Sequence, residues 1–266
     1  MLDQWIIKLG AQPWNRRGKY RLYKLLDRCV GTVRGVTPLG VRLEFRPTDV
    51  TCYHYFRPGR ESQLLALIDE LPAEGIFVDV GANAGNYSII AARRVGASGR
   101  VIAFEAARET YARLVRHLSL NQADNVIPLN AAVGAEEGLA TMTICENSGL
   151  SHLGKMERPN FEKTERVPLV SLDRFLPALT EGRKIDLLKI DVEGAELSVL
   201  RGAEWLFQSG AIKKLHLELI PGHLARFGNR PEEVYQFMAD HGYRRAEGVT
   251  GAENAVFERA DQAALT

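Results

Sequence analysis

The stretch Val78-Asp79-Val80-Gly81-Ala82-Asn83-Ala84-Gly85-Asn86 decides the fold, because in it a short apolar strand passes through small residues directly into a helix. In an open α/β sheet such a turn lies at the carboxyl ends of the strands, where a ligand can meet bare backbone and a helix N-terminus. Gly81 and Gly85 have no Cβ and allow that close approach. The stretch therefore predicts a ligand-binding turn in a parallel sheet.

From Gly75 onward, short apolar runs alternate with helical patterns, which is the rhythm of βαβ units. The predicted strands cover residues 76–80, 101–105, 126–129, 185–190 and 212–219, with a closing pair at 243–246 and 255–257. The predicted helices cover about 85–95, 107–120, 194–208 and 231–240. The fold class predicted is α/β: a doubly wound, mostly parallel, seven-stranded Rossmann-like sheet with helices on both faces.

The N-terminal part follows a different pattern. Apolar residues at helical spacing predict helices over 2–9 and 22–29, followed by a β-hairpin over 32–45 and a helix over 61–71. We therefore expect an N-terminal helical and hairpin extension over 1–58 and a main domain over 59–266. The basic residues of the first helices fit either docking on the protein's own domain or weak peripheral contact with an anionic membrane. A long stretch at 146–165 is predicted to be irregular, as functional lids often are.

Composition excludes several classes of protein. Hydrophobic residues make up 45% of the 266 residues, which excludes a disordered chain, and the net charge of +1 provides no bulk positive field for nucleic acid. The three cysteines have no C-x-x-C spacing and suit a reducing compartment. No apolar run is long enough for a membrane span, and the first residues lack the pattern of a secretory signal. We therefore expect a cytoplasmic protein without a nucleic acid partner.

The glycine turn favours a ligand without phosphates. Its G-x-x-x-G spacing differs from the dinucleotide fingerprint G-x-G-x-x-G and from the P-loop. Glu105 ends the second predicted strand, where a carboxylate can accept hydrogen bonds from both hydroxyls of a ribose. The pattern indicates a nucleoside ligand such as S-adenosylmethionine. Each of these features also has a purely structural alternative. Asp79 would cap the next helix, the glycines would only form a tight turn, and Glu105 would be a solvated strand end.

The fourth strand ends within a second motif, Leu187-Leu188-Lys189-Ile190-Asp191-Val192-Glu193-Gly194-Ala195-Glu196. Together with Phe77 to Ser88, it resembles the FkbM family of S-adenosylmethionine-dependent methyltransferases over about residues 58–257. This resemblance implies methyl transfer, usually to a hydroxyl oxygen, on sugars, lipid-linked glycans or polyketide-type molecules. It also implies that Asn130 and Ala131, just after the third strand, lie beside the adenine; the alternative is that they form a plain turn.

The donor's amino acid end carries a carboxylate and an ammonium group. Backbone N–H groups from Gly81 through Ala82 to Gly85 are candidates for the carboxylate. Asp79 and Asp191 are candidates for the ammonium. Asn83 would bind the carboxylate or stabilise the loop.

An alcohol loses its proton as it attacks, so a base within reach would help. Asp191 ends a strand at the crevice and would bind the donor or accept the proton; the alternative is that it caps the next helix. Glu218 would reach the cleft or pair with His216, which projects from the same face of its strand. The loop histidines His152 and His223 could each approach an acceptor hydroxyl or lie on the surface. Asp191, Glu218 and His152 are the catalytic candidates.

Asp191 and Glu218 could also share a divalent cation. However, Leu219 stands where a further oxygen ligand would be needed, so we expect no metal. A nicotinamide-dependent oxidoreductase would also have an acidic residue such as Glu105 and the βαβ rhythm. However, this sequence lacks the G-x-G-x-x-G fingerprint of that class. A non-catalytic protein that binds S-adenosylmethionine is the other alternative.

Overall fold

A computed structural model of the chain describes residues 2–11, 19–57, 62–145, 149, 151–153, 163–246 and 253–260. The predicted N-terminal helices and hairpin are confirmed, and a short helix before residue 55 was not predicted. The elements are α1 (Leu2–Ala11), α2 (Lys19–Val30), β1 (Val33–Val36), β2 (Arg42–Phe45), α3 (Val50–His54) and α4 (Ser62–Asp69). No helix among the described residues is both long and apolar enough to cross a membrane.

A seven-stranded sheet forms the centre of the protein, as predicted. Its strands in chain order are β3 (Ile76–Val80), β4 (Arg100–Phe104), β5 (Val126–Leu129), β10 (Ile185–Ile190), β11 (Ile212–Glu218), β12 (Tyr243–Arg245) and β13 (Asn254–Arg259). They lie in the order β12-β13-β11-β10-β3-β4-β5. The first five are parallel, and β13 runs antiparallel to both of its neighbours. The strand order reverses between β3 and β10, which is where ligands bind in doubly wound sheets.

Helices connect these strands across both faces of the sheet. They are α5 (Asn86–Val95), α6 (Arg108–Leu120), α7 (Leu172–Leu179), α8 (Glu196–Arg201), α9 (Glu204–Gln208), α10 (Pro221–Leu224) and α11 (Pro231–Asp240). The single helix predicted over 194–208 is wrong, because the chain there forms α8 and α9. At the break, Gly202 packs so closely on the carbonyl of Gly134 that a Cβ would collide with it. The α7 helix was not predicted.

The core lies on both faces of the sheet, since alternate residues of each strand point to opposite sides. Val78 and Ile190 belong to one hydrophobic cluster, and Phe77 and Leu187 belong to the other. The second cluster also contains Ile6, so the N-terminal elements pack on the main sheet. This is the docked arrangement, although Trp5 of α1 is exposed. The boundary between residues 58 and 59 stays a prediction.

A second, smaller sheet lies beside the carboxyl end of β5. Its strands are β6 (Ala132–Val133), β7 (Gly138–Ile144), β8 (His152–Leu153) and β9 (Lys163–Val170), in the order β6-β9-β7-β8. The prediction that 146–165 is wholly irregular is therefore wrong at 152–153 and 163–165. Residues 146–148, 150 and 154–162 of that stretch lie outside the described residues. The error arose because the strand partners are far apart in sequence, as in the pair Thr141 and Arg166.

Candidate active site

One cavity of about 270 Å³ opens at the carboxyl ends of the central strands, beside the point where the strand order reverses. It brings together residues predicted from separate segments of the chain. The predicted site residues that line it are Gly81, Ala82, Asn83, Glu105, Ala131, His152, Asp191 and Glu218. Asp79, Gly85 and Asn130 are not among the lining residues.

The glycine turn after β3 is held by its own hydrogen bonds. Gly81 has φ +82°, and a Cβ there would collide with the carbonyl oxygen of Asp191, so the turn packs directly on the end of β10. The N–H groups of Gly81 and Ala82 both donate to the carbonyl of Phe104, at 3.0 and 2.9 Å. The N–H of Gly85 donates to the carbonyl of Ala82 at 2.9 Å. The expectation of bare amides is therefore wrong at these positions, and a carboxylate here would have to share or displace these bonds.

Glu105 is the acidic group at the other side of this turn, directly after β4. Its Oε2 accepts from the N–H of Asn83 and its Oε1 from the N–H of Ala107, both at 2.9 Å. Burial raises the pKa of Glu105 to about 7, against the opposing effect of these two hydrogen bonds and of the Arg113 charge. Each carboxylate oxygen has two lone pairs and can therefore accept one further hydrogen bond from a ribose hydroxyl.

Two of the predicted residues outside the cavity support the residues that line it. The Asn130 side chain donates from Nδ2 to the carbonyls of Glu105 and Ala106, at 2.9 and 3.0 Å. Gly85 has φ +82° and packs against Leu114 of α6, where a Cβ would collide. Asn130 thus orients the Glu105 segment, and Gly85 lets α5 approach α6.

A buried charged group lies beneath the turn. Asp79 is fully buried; its Oδ2 accepts from Ser88 Oγ at 2.6 Å, and its Oδ1 lies 3.1 Å from Lys189 Nζ. Nζ also donates to the carbonyl of Gly81 at 3.2 Å and lies 3.4 Å from Asp191 Oδ2. Lys189 thus joins β3, the glycine turn and the end of β10. No role was predicted for Lys189, although a lysine between Leu188 and Ile190 in a buried strand was a visible signal.

The opposite wall of the cavity is acidic. The Asp191 side chain is 35% exposed. Burial and the nearby charges of Asp191 and Glu193 raise the pKa of Glu218 to about 9. Burial and Asp191 likewise raise the pKa of Glu193 to about 8. Nδ1 of His223 lies 2.9 Å from Glu193 Oε2, and burial followed by the Arg226 charge lowers the pKa of His223. The sequence pointed to Glu218, but it did not place Glu193 and His223 together.

The two remaining histidine candidates differ in position. His152 lies on β8 and is buried at the cavity wall rather than in a mobile loop. His216 is buried on β11 beside Lys189, and its Nδ1 has no hydrogen-bond partner among the described residues. Burial and the Lys189 charge lower the pKa of His216 to about 4. His216 is therefore neutral at physiological pH and is not among the cavity-lining residues.

The N-terminal part of the chain supplies another wall. Thr51, His54 and Tyr55 come from α3 and the residue after it. The ring of Tyr55 meets that of Tyr87 edge to face, with centroids 5.8 Å apart. The N–H of Gly149 donates to Thr51 Oγ1 at 3.2 Å, which joins this wall to the segment before β8. No sequence motif identified this wall.

The cavity suits a nucleoside that carries a cationic amino acid end. Glu105 offers hydrogen-bond acceptors for ribose hydroxyls. Apolar side chains that could pack on a purine ring also line the space: Val80, Phe104, Ala131, Val133 and Met142. The carboxylate of Asp191 lies on the side away from Glu105 and could bind an ammonium group or accept a proton.

Comparisons with known proteins agree on one class. The model of the family described as "Methyltransferase FkbM domain" matches residues 79–245. "Methyltransferase sdnD" of Sordaria araneosa is 33% identical over 165 residues, which covers 52% of this chain and 63% of that protein. "Hexuronic acid methyltransferase AglP" of Haloferax volcanii is 25% identical over 182 residues, which covers 68% of this chain and 69% of that protein.

The extent of these matches is partial. The chain spans about three fifths of the length of the first two curated relatives that it matches. The crystal structure of a SAM dependent methyltransferase from Aquifex aeolicus aligns with 74% of this chain and 87% of its own, at 17% identity and a TM-score of 0.43.

Proposed function

Because this chain belongs to the FkbM methyltransferase family, we propose that it transfers a methyl group from S-adenosylmethionine to a hydroxyl oxygen of a sugar, a glycolipid or a polyketide-type molecule. One observation carries the proposal. Residues predicted independently from the glycine turn, from the end of β4 and from the Asp191 motif line a single cavity. The name of the Haloferax volcanii relative, a hexuronic acid methyltransferase, supports a sugar as the acceptor class.

In this proposal the two sides of the cavity have different tasks. When bound, S-adenosylmethionine supplies a methyl group activated by its sulfonium. Glu105 accepts hydrogen bonds from the ribose hydroxyls, and the glycine turn holds Glu105 in place through Asn83. Asp191 accepts the proton that the acceptor hydroxyl loses. Lys189 orients Asp191 from below, since its Nζ lies 3.4 Å from Oδ2.

Binding of the donor is tested with S-adenosylhomocysteine by isothermal titration calorimetry. We expect binding to the wild-type protein and a loss of about 1.5 to 3 kcal/mol in Glu105→Ala, the range for hydrogen bonds to a charged group. Glu204→Gln, at a half-exposed side chain outside the cavity, is the control and should bind as the wild type does. Binding of NADH without any response to S-adenosylhomocysteine would instead support the oxidoreductase alternative.

Transfer itself is tested by mass spectrometry for the gain of one methyl group. The screen covers hydroxylated sugars including hexuronic acids, glycolipids and polyketides, with RNA as a further substrate because the absence of a nucleic acid partner stays a prediction. With an acceptor in hand, Asp191→Asn should lower turnover at saturating donor by about 10²-fold or more. Asp240→Asn, on the last turn of α11, is the control. Unchanged turnover in Asp191→Asn would exclude it as the base, and donor binding without any turnover would support the non-catalytic alternative.

A further inference from the structure

Three potential metal ligands from different segments meet at the acidic wall of the cavity. Glu193 follows β10, Glu218 ends β11, and His223 lies in α10. One ligand atom of each lies within 4.8 Å of the other two, and all three residues line the cavity. The set thus combines two carboxylates and an imidazole at the edge of a space large enough for a substrate.

One pair of these atoms has a separation that is compatible with a shared cation. Oε2 of Glu193 lies 2.9 Å from Nδ1 of His223. Although this oxygen is buried, it has no aligned hydrogen bond with any described residue. Two ligands at right angles around a cation, each about 2.1 Å from it, lie about 3 Å apart. The pair is therefore already spaced as neighbouring ligands of one cation.

Three carboxyl groups that can act as oxygen ligands are concentrated at this wall. Asp191, Glu193 and Glu218 are close enough to influence one another electrostatically. Lys189 forms ion pairs with Asp191 and with the buried Asp79, so its single charge is shared between two carboxylates. A divalent ion between Glu193 and Glu218 would stabilise the deprotonated form of both carboxyls and offset the charge that they then carry.

We propose that Glu193, Glu218 and His223 bind one divalent transition-metal ion at the acceptor side of the cavity. A mixed set of carboxylate and imidazole ligands suits Mn²⁺ or Zn²⁺ better than Mg²⁺ or Ca²⁺, which prefer oxygen ligands. Three protein ligands leave coordination positions open. These positions fit an acceptor with two adjacent oxygens, such as a vicinal diol or a hydroxy acid.

This inference rests on the proposed function and differs from the expectation of no metal, which considered Asp191 and Glu218 as the pair of ligands. That expectation assumed that the third ligand would follow Glu218 directly, where the sequence has Leu219. The structure provides it instead from His223, four residues further, because the chain turns after β11 into α10 and brings the imidazole back to the cavity.

Mn²⁺ binding to the chelator-treated full chain tests the site, read by the loss of the free-ion signal in electron paramagnetic resonance. We expect one strongly bound Mn²⁺ per chain. Glu193→Gln, Glu218→Gln and His223→Gln should each weaken binding at least tenfold. The control pair is Glu204→Gln and His241→Gln, which changes the same residue types at a contact of 3.9 Å outside the cavity. Circular dichroism melting verifies that each variant is folded.

Two results would overturn the proposal: wild-type protein that binds no more Mn²⁺ than the three cluster variants, or cluster variants that bind as tightly as the control pair. S-adenosylhomocysteine binding to the same chelator-treated protein separates this failure from failure of the proposed function. Nucleoside binding without Mn²⁺ binding would reject the metal site alone. Mn²⁺ binding without nucleoside binding would reject the methyltransferase proposal and leave the metal site standing.

Discussion

The two ends of the cavity are built by different means. At the end that we propose for the donor, backbone groups of adjacent strand ends form hydrogen bonds with one another, as Gly81 and Ala82 do with Phe104. At the end that we propose for the acceptor, side chains from distant segments converge, as Asp191, Glu218 and His223 do. A site built from backbone needs a particular local sequence, whereas a site built from side chains needs only that the fold bring them together. The site built from backbone can therefore be recognised as a sequence motif, whereas the site built from side chains cannot.

Lys189 connects the two ends, and its replacement should reduce the free energy of unfolding more than any other change proposed below. Lys189→Met leaves the Asp79 carboxylate fully buried without its ion pair. Loss of one partner of a buried ion pair costs about 3 to 5 kcal/mol. We expect the free energy of unfolding, measured by urea denaturation, to fall by that amount.

The double variant Asp79→Asn, Lys189→Met is the matched test of this cause. It removes both charges and should recover most of the lost free energy of unfolding. A single variant as stable as the wild type would mean that the two ends do not depend on this pair.

Gly81→Ala should disrupt the donor end through its backbone. Positive φ costs a side chain about 1 to 2 kcal/mol, and overpacking against the Asp191 carbonyl adds about 1 to 3 kcal/mol. We expect unfolding free energy to fall by about 2 to 5 kcal/mol. Gly228→Ala is the control, because Gly228 has φ +73° but no atom of a described residue lies within 4 Å of its Cβ position. Equal losses in the two variants would show that the contact with β10 contributes nothing.

Donor binding should depend on pH through Glu105. Its pKa of about 7 in the free protein is raised by burial, opposed by Arg113 and reinforced by Asp79. Ribose hydroxyls bind the charged carboxylate better, so the affinity for S-adenosylhomocysteine should fall as pH drops below 7, by up to tenfold per pH unit. Calorimetry from pH 5.5 to 8 measures this. Glu105→Gln should bind S-adenosylhomocysteine weakly, with an affinity that does not change with pH over this range. If the affinity of the variant changed with pH as steeply as that of the wild type, the titration would belong to another group.

Tyr55→Leu, in the wall that the N-terminal part of the chain supplies, should have the smallest effect, and we expect that effect on the acceptor rather than on the donor. It removes the edge contact with Tyr87, which is worth about 0.5 to 1.5 kcal/mol. We expect KM for the acceptor found in the screen to rise about two- to tenfold, with the affinity for S-adenosylhomocysteine unchanged. Tyr235→Leu, whose ring packs near Phe257 away from the cavity, is the control. A fall in donor affinity instead would mean that the two ends are not separate.

The main sheet was predictable because its strands are covered on both faces and read as short apolar runs. Ile76–Val80 and Ile185–Ile190 are examples, and turns mark their ends. The smaller sheet was not predictable, since β7 and β9 have mixed polar patterns and pair over a long separation in sequence. The break between α8 and α9 depends on the contact of Gly202 with Gly134, which no local pattern reveals.

The candidate site divides in the same way. Gly81, Glu105 and Asp191 could be identified because strand ends in a parallel sheet meet at one edge. The expectation that Asp79 would reach the donor did not include Lys189, which lies beside it in the strand register. His223 was indistinguishable from a surface histidine until the turn after β11 was known.

The N-terminal elements and the main sheet share one hydrophobic core, and this limits how acceptor specificity can be transferred between relatives by domain exchange. Phe45 and Tyr53 pack in the same cluster as Phe77 and Ile89. A chimaera that exchanged only the main domain with a relative would divide this cluster. The apolar surfaces of the N-terminal elements and of the sheet would then no longer match. The cavity wall that contains Tyr55 would therefore have to be transferred together with the strands on which it packs.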